Sequence, residues 1–189
     1  MLEIVIQGRG GQGAQTAGNL LAATFFAAGA RVQSFATYGG ARRGTPVSSF
    51  IRVDERPIRL RCDIERADAI LCFDATLLEG RLLAAADERT LIVVNSGRGR
   101  ADFARTHPGY RVVPVDAIAI SRRAGLGRIV NSALLGAFAH VVGHPPLAAL
   151  ERTLRERSPR LVEENLAACA AGYAAVADDR AAAFEEDAA

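Results

Sequence analysis

The sequence predicts a single α/β domain in three layers, with a mostly parallel sheet, an edge hairpin and a helical C-terminal part. Three observations predict it. Short apolar runs bounded by glycine or polar turns alternate with Ala- and Leu-rich stretches of helical length, the pattern of strands and crossover helices. The 189 residues, half of them hydrophobic, suffice for one core of ordinary size. No internal repeat or linker divides the chain; the domain is drawn over 1–177, and residues 178–189, with five acids against Arg180, read as a solvated tail.

Residues 2–6 are apolar and end at a glycine cluster, as a fully buried strand does. Residues 14–28 are Ala-rich and close on Gly29, a C-cap residue, so they form the first helix. Residues 32–35 make a second strand, and β-α-β in this span opens a Rossmann-like parallel sheet with a right-handed crossover. Residues 47–53, the polar turn 54–56 and residues 57–61 read as a hairpin, with Pro57 placing its second arm at an edge. Further strands are expected at 69–73, 90–94 and 111–115, and helices at 75–86, 129–142, 147–157 and 159–177. The stretch 130–142 is apolar nearly all round, so this helix is buried either in the core or under another chain.

Composition narrows the function. A net charge of +2 is too small to make nucleic acid the default partner. All 23 basic residues are Arg, so neither a Schiff-base lysine nor a P-loop lysine exists here. Cys62, Cys72 and Cys169 are too far apart for a CxxC motif, which argues against a four-Cys iron–sulfur cluster or a Cys-rich zinc site on this chain. Their sparse, odd count reads as reduced and intracellular, and Cys72, inside an apolar run, as buried. No signal peptide and no apolar run near ~20 residues is present, so a soluble cytoplasmic protein without a membrane partner is expected. His107, His140 and His144 lack metal-ligand spacing, and Asp63, Asp68 and Asp74 are scattered; no catalytic residue and no metal ligand is assigned.

Gly8-Arg9-Gly10-Gly11-Gln12-Gly13 satisfies GxGxxG between a strand and a helix. Glycines let the backbone turn tightly beside a ligand, and the helix N-terminus offers N–H groups and a positive dipole to an anion, to which Arg9 adds a full charge. A dinucleotide site also needs an acid after the second strand to hold the ribose. No acid lies between Glu3 and Asp54, while Arg9, Arg31, Arg42, Arg43 and Arg52 do, so a phosphate or carboxylate ligand fits this stretch better. The other reading is that the glycines only permit tight packing. The second candidate is the loop Tyr38-Gly39-Gly40-Ala41-Arg42-Arg43-Gly44-Thr45-Pro46, expected at the same edge of the sheet, where open α/β sheets bind ligands. Arg42 and Arg43 are suited to a bidentate clamp on an anion, or form a solvated basic loop or a subunit contact. Asn95 closes a strand at that edge and either lines the cleft or makes a plain turn; Asn131 either caps a helix or faces a partner, capping being preferred.

These residues resemble a known family, the gamma subunit or gamma domain of the 2-oxoacid:ferredoxin oxidoreductases, the group that contains pyruvate synthase. The opening GxGGQG, the block from Tyr38-Gly39 through Arg42-Arg43-Gly44-Thr45-Pro46-Val47 to Arg52 and Pro57-Ile58, Asn131 with Leu135-Gly136-Ala137, and Asn165 with Gly172-Tyr173 carry the resemblance in order along nearly the whole chain. It implies a subunit, inactive alone, of an enzyme that oxidatively decarboxylates a 2-oxoacid, pyruvate or an aryl-2-oxoacid, with coenzyme A to give acyl-CoA and CO2. It implies alpha, beta and delta-type partner subunits that carry thiamine diphosphate and the iron–sulfur clusters, and ferredoxin or another electron acceptor. The competing readings are a free-standing phosphate- or nucleotide-binding regulatory module, and a small flavin or nicotinamide oxidoreductase, which the missing ribose acid disfavours.

Overall fold

The computed structural model describes residues 1–38, 44–158 and 160–177; the expected tail, 178–189, lies outside them. Six strands form one sheet in the order β2-β3-β1-β4-β5-β6. They are β1 (Leu2–Arg9), β2 (Arg31–Tyr38), β3 (Pro46–Asp54), β4 (Ala69–Cys72), β5 (Leu91–Asn95) and β6 (Arg111–Val115). β1, β4, β5 and β6 run parallel, and β3 is antiparallel to both β1 and β2. Alternation splits the sheet's side chains between two cores. Ile4, Ile6, Ile51, Leu71 and Val93 face one layer, and Val5, Phe50, Ile70, Ile92 and Val94 face the other.

The layers are unequal. The thick one holds α1 (Ala14–Ala27), α4 (Ala117–Arg123), α5 (Asn131–Val142), α6 (Leu147–Arg157) and α7 (Val162–Ala174). The thin one holds α2 (Gly80–Ala84), α3 (Arg100–Thr106) and the irregular residues around Ile64 and Ala67. The fold class is as the sequence predicts, with three corrections. First, the hairpin pairs β3 with β2, not with 57–61. β3 is an interior strand with apolar residues on both faces, and β1 and β2 each pair with it over eight residues, more than 57–61 could supply. The short, largely exposed, Arg-bearing 57–61 segment forms no strand. It is tied down by Gln33 Nε2, which donates to the carbonyl of Leu60 at 2.7 Å, and by Arg52 Nη1, which donates to that of Cys62 at 2.9 Å. Second, because β3 is inserted between them, β1 and β2 are not sheet neighbours. Third, the expected helix 75–86 is a 3₁₀ turn, Ala75–Leu77, followed by α2, with the break at Gly80, whose φ of +52° is left-handed. α3 and α4 were not expected; α3 buries only Phe103, too little to leave a periodic signal.

All twelve residues of α5 are buried within this chain. Of the two sites open to this helix, core or partner interface, it occupies the core. α7 closes over it at unusually short range. A Cβ on Gly136 would stand on the carbonyl oxygen of Cys169 and 2.8 Å from its carbon, and one on Gly172 on that of Ala133, 2.7 Å from its carbon. Neither backbone can yield without opening the helix pair. Gly136→Ala and Gly172→Ala are therefore expected to lose about 3 kcal/mol each in urea unfolding. Gly29→Ala, at a left-handed φ of +91° but in open space, should lose only about 1 kcal/mol. Equal losses at all three sites would show that the helix pair has room to spare.

Candidate functional site: the glycine-loop edge

β1 ends at Gly8 and Arg9, and the chain turns through Gly10–Gly13 into α1. Gly8 stands in a tight space: a Cβ there would lie 3.0 Å from the Cβ atoms of both Ala14 and Phe73. Gly11 and Gly13 hold φ values of +95° and +91°. Gly13 ends the turn without any side-chain cap on α1, whose first turn carries no acid. The helix therefore presents an uncapped positive end at the carboxyl edge of the parallel strands.

The loop is braced by its own side chains. Gln12 Oε1 accepts from the Arg9 N–H at 2.7 Å, and Gln12 N–H donates to the Arg9 carbonyl at 2.9 Å. Arg9 Nε donates to Asp74 Oδ2 at 2.9 Å and Nη2 to Thr76 Oγ1 at 2.8 Å. Asp74 directly follows Phe73 past the end of β4 and also accepts from the Thr76 N–H and hydroxyl. Burial raises the Asp74 pKa, but the hydrogen bonds from Thr76, Arg9 and Gln12 outweigh it and hold the carboxyl below its ordinary range. The charge expected to stand at the mouth on Arg9 is thus matched by a carboxylate.

The expected residues Gly8, Arg9, Gly10, Gly11, Gln12, Gly13, Gly44 and Asn95 do meet at one edge. Gly10 N–H donates to the Thr45 carbonyl at 2.9 Å and Gly44 N–H to the Gly10 carbonyl at 3.3 Å, so the foot of the second loop stands against the first. The backbone of Tyr38, the other foot, pairs with Val47. The Tyr38 side chain and residues 39–43, Arg42 and Arg43 included, lie outside the described residues. Asn95 turns inward: its Nδ2 donates to the Phe73 carbonyl at 3.1 Å, lacing β5 to β4.

The acid-free basic stretch is not one patch. Arg31 and Arg52 pair with Asp54 and Glu3 in register, at the opposite edge, roughly 20 Å from the glycine loop. Arg52 is buried, its Nε 2.7 Å from Glu3 Oε1. Asn131 was expected to cap its own helix. Instead its Nδ2 donates to the Gly13 carbonyl at 3.3 Å, fastening α5 to the loop. A Cβ on Gly13 would fall 2.6 Å from Asn131 Oδ1. Asp74, Thr76 and Asn131 are the residues that sequence reasoning did not assign here. The signal for Asp74 was its place, a polar residue just after a buried parallel strand.

Cys72 is buried, as expected, and burial pushes its thiol up to about 12, as it does that of Cys169. Burial thus keeps both thiols protonated near neutral pH. Among the described residues no three His, Cys, Asp or Glu side chains are grouped to hold a metal ion.

Because the Asp74 pKa is lower in the folded chain than in the unfolded one, its stabilising contribution is complete above the ordinary carboxylate range. It is lost as pH falls through and below that range. Asp74→Asn should therefore be less stable than the parent by a constant amount from pH 7 to about 5, and the gap should close below about pH 4. Urea unfolding across pH checks this; a gap that persists undiminished at low pH would show that the Arg9–Asp74 pair contributes nothing through charge.

A chain with this architecture has known relatives. The model of the family described as pyruvate ferredoxin/flavodoxin oxidoreductase matches residues 3–175. The chain is 35% identical over 175 residues to pyruvate synthase subunit PorC of Methanocaldococcus jannaschii, covering 92% of this chain and 96% of that one. It is 36% identical over 169 residues to the pyruvate/ketoisovalerate oxidoreductases common subunit gamma of Pyrococcus abyssi, covering 87% and 91%. The crystal structure of pyruvate oxidoreductase subunit PORC from Thermotoga maritima superposes with a TM-score of 0.81 at 31% identity, covering 92% of this chain and 96% of that one. The chain belongs to the pyruvate ferredoxin/flavodoxin oxidoreductase family, among its gamma-type subunits.

Proposed function

We propose that this chain is the non-catalytic gamma subunit of a cytoplasmic multi-subunit enzyme that oxidatively decarboxylates pyruvate or an aryl-2-oxoacid with coenzyme A. Its relatives are a subunit of pyruvate synthase and a common gamma subunit of pyruvate/ketoisovalerate oxidoreductases. Among the described residues no helix is long and apolar enough to cross a membrane.

The observation that carries the site assignment is the pairing of Gly10 with Gly44 and Thr45. It sets the foot of the Arg42-Arg43 loop beside the uncapped start of α1, a combination suited to the phosphates of coenzyme A. In this reading the backbone N–H groups of Gly11 and Gly13, with Arg42 and Arg43, meet the anion. Arg9, occupied by Asp74, keeps the loop in shape. The described residues do not fit an iron–sulfur cluster: Cys62 is on the surface, Cys72 and Cys169 are buried, and no three ligating side chains are grouped. In this reading thiamine diphosphate and the clusters belong to alpha, beta and delta-type partners, and electrons leave through them to ferredoxin or another acceptor.

Two measurements test this. Purified alone and mixed with pyruvate, coenzyme A and a viologen dye, the chain should reduce no dye, whereas the reconstituted complex should; reduction by the lone chain would overturn its non-catalytic role. Losing one bidentate charged contact costs about 1.5–3 kcal/mol, which is roughly 10- to 150-fold in affinity. Arg42→Ala and Arg43→Ala in the complex should therefore raise the KM for coenzyme A, or weaken assembly, by that order, with Lys restoring only part. If the double-Ala complex matches the parent in both assembly and coenzyme A kinetics, the anion site is wrong.

A further inference from the structure

Two exposed apolar side chains stand at the glycine-loop end of the thick layer. Ile129, 51% exposed, precedes α5, and Leu161, 46% exposed, precedes α7. The starts of α5 and α7, beside these two residues, are joined to the loop and to each other by a run of hydrogen bonds. Asn131 holds the Gly13 carbonyl, and its neighbour Ser132 donates to Asn165 Oδ1 at 2.6 Å. Asn165 Nδ2 in turn donates to the carbonyls of Leu161 at 2.8 Å and Arg160 at 3.3 Å.

Leu161 is held in a costly conformation. Its φ of 53° and ψ of 46° are left-handed, and it is the non-glycine residue with positive φ among the described residues. A branched apolar residue disfavours that region, where glycine would sit freely. The fold thus maintains an exposed leucine where glycine would be more stable and solvation would be better, and Asn165 is spent on keeping the turn in place. Strain retained at an exposed apolar side chain is accounted for when the side chain is used.

The surroundings are basic. No acid occurs between Asp116 and Glu151, a stretch that carries Arg122, Arg123 and Arg128, and Arg160 adjoins Leu161; all four arginines are exposed. The acids nearby are already engaged or outnumbered. Asp116 caps α4 through the Ala119 N–H, Glu163 pairs with Arg155 at 3.1 Å, and Glu164 lies along Gly125. A second copy of this chain meeting the patch across a two-fold axis would set these arginines against themselves, which is unfavourable. The charge selects a different chain.

We propose that Ile129 and Leu161 are the apolar anchors by which this chain docks onto an acid-rimmed apolar face of a partner subunit, which covers the glycine-loop edge. This rests on the subunit reading above and adds the face and the chemistry of the partner. The test uses the complex reconstituted from all its subunits, with binding of this chain to the remainder measured by titration. Leu161→Asp and Ile129→Asp should each weaken binding at least ~10-fold. Phe26→Asp, also at an exposed apolar residue but near the far end of α1, roughly 20 Å from the loop, should bind as the parent does. Leu161→Gly is the discriminating variant: relieved of strain, it should melt at a higher temperature than the parent and yet bind more weakly. If the parent assembles and all the variants assemble equally well, the docking face is wrong and the subunit reading stands. A parent chain that binds none of the partners overturns both. Should the chain instead form a dimer that Ile129→Asp dissociates, the occupant is a second copy and the proposal fails.

Discussion

The approach of α5 and α7 through Gly136 and Gly172 is the contact on which the rest of the thick layer depends. Each glycine lies where the other helix's carbonyl would collide with any side chain, so the two axes come closer than side-chain-mediated packing allows. At that distance α7 covers the outward side of α5, and a helix apolar on every face is buried within one chain. The same seating carries the start of α5 to the glycine loop, where Asn131 reaches the Gly13 carbonyl, and brings Ser132 to Asn165 on α7. A packing constraint in the core thereby sets the position of the ends of three helices, α1, α5 and α7, at one edge of the sheet.

Charge at that edge is distributed differently from a simple reading of the arginines. Arg9 is matched by Asp74, and Arg52 by Glu3 at the far edge. A buried guanidinium without such a partner would be strongly destabilising, and Arg52, with four oxygen acceptors among Glu3, Gln33, Cys62 and Asp63, is fully engaged. The structural arginines hold the shape of the loop and of the 57–63 segment. What the loop exposes is mostly backbone: left-handed glycines and the open end of α1.

Legibility followed the range of the interaction concerned. The strands at 69–73 and 111–115 and the helix at 147–157 were readable because burial on the sheet or on one helix face imprints a local period. The partner of β3 was not, because 57–61 is nearer in sequence than β2 but too short to fill the eight-residue register that β2 makes with it. The helix from 75 to 86 looked continuous by composition; Gly80 interrupts it. Gly136 and Gly172 were visible as motif residues, but their purpose, two backbones in contact, exists only once α7 lies on α5.

The sequence by itself determined the α/β class, one domain with a mostly parallel sheet, the glycine turn between β1 and α1, and the resemblance that led to the family. These rest on composition, on local periodicity and on glycines whose conformations are needed within a few residues of themselves. Only the tertiary structure decided that Arg9 is spent on Asp74, that Arg31 and Arg52 stand at the other edge, and that Asn131 serves the loop rather than its own helix. In each case the deciding partner lies far away in the chain, 65 residues for Arg9 and 118 for Asn131, and it is the strand order and the seating of α5 that bring it within hydrogen-bonding reach.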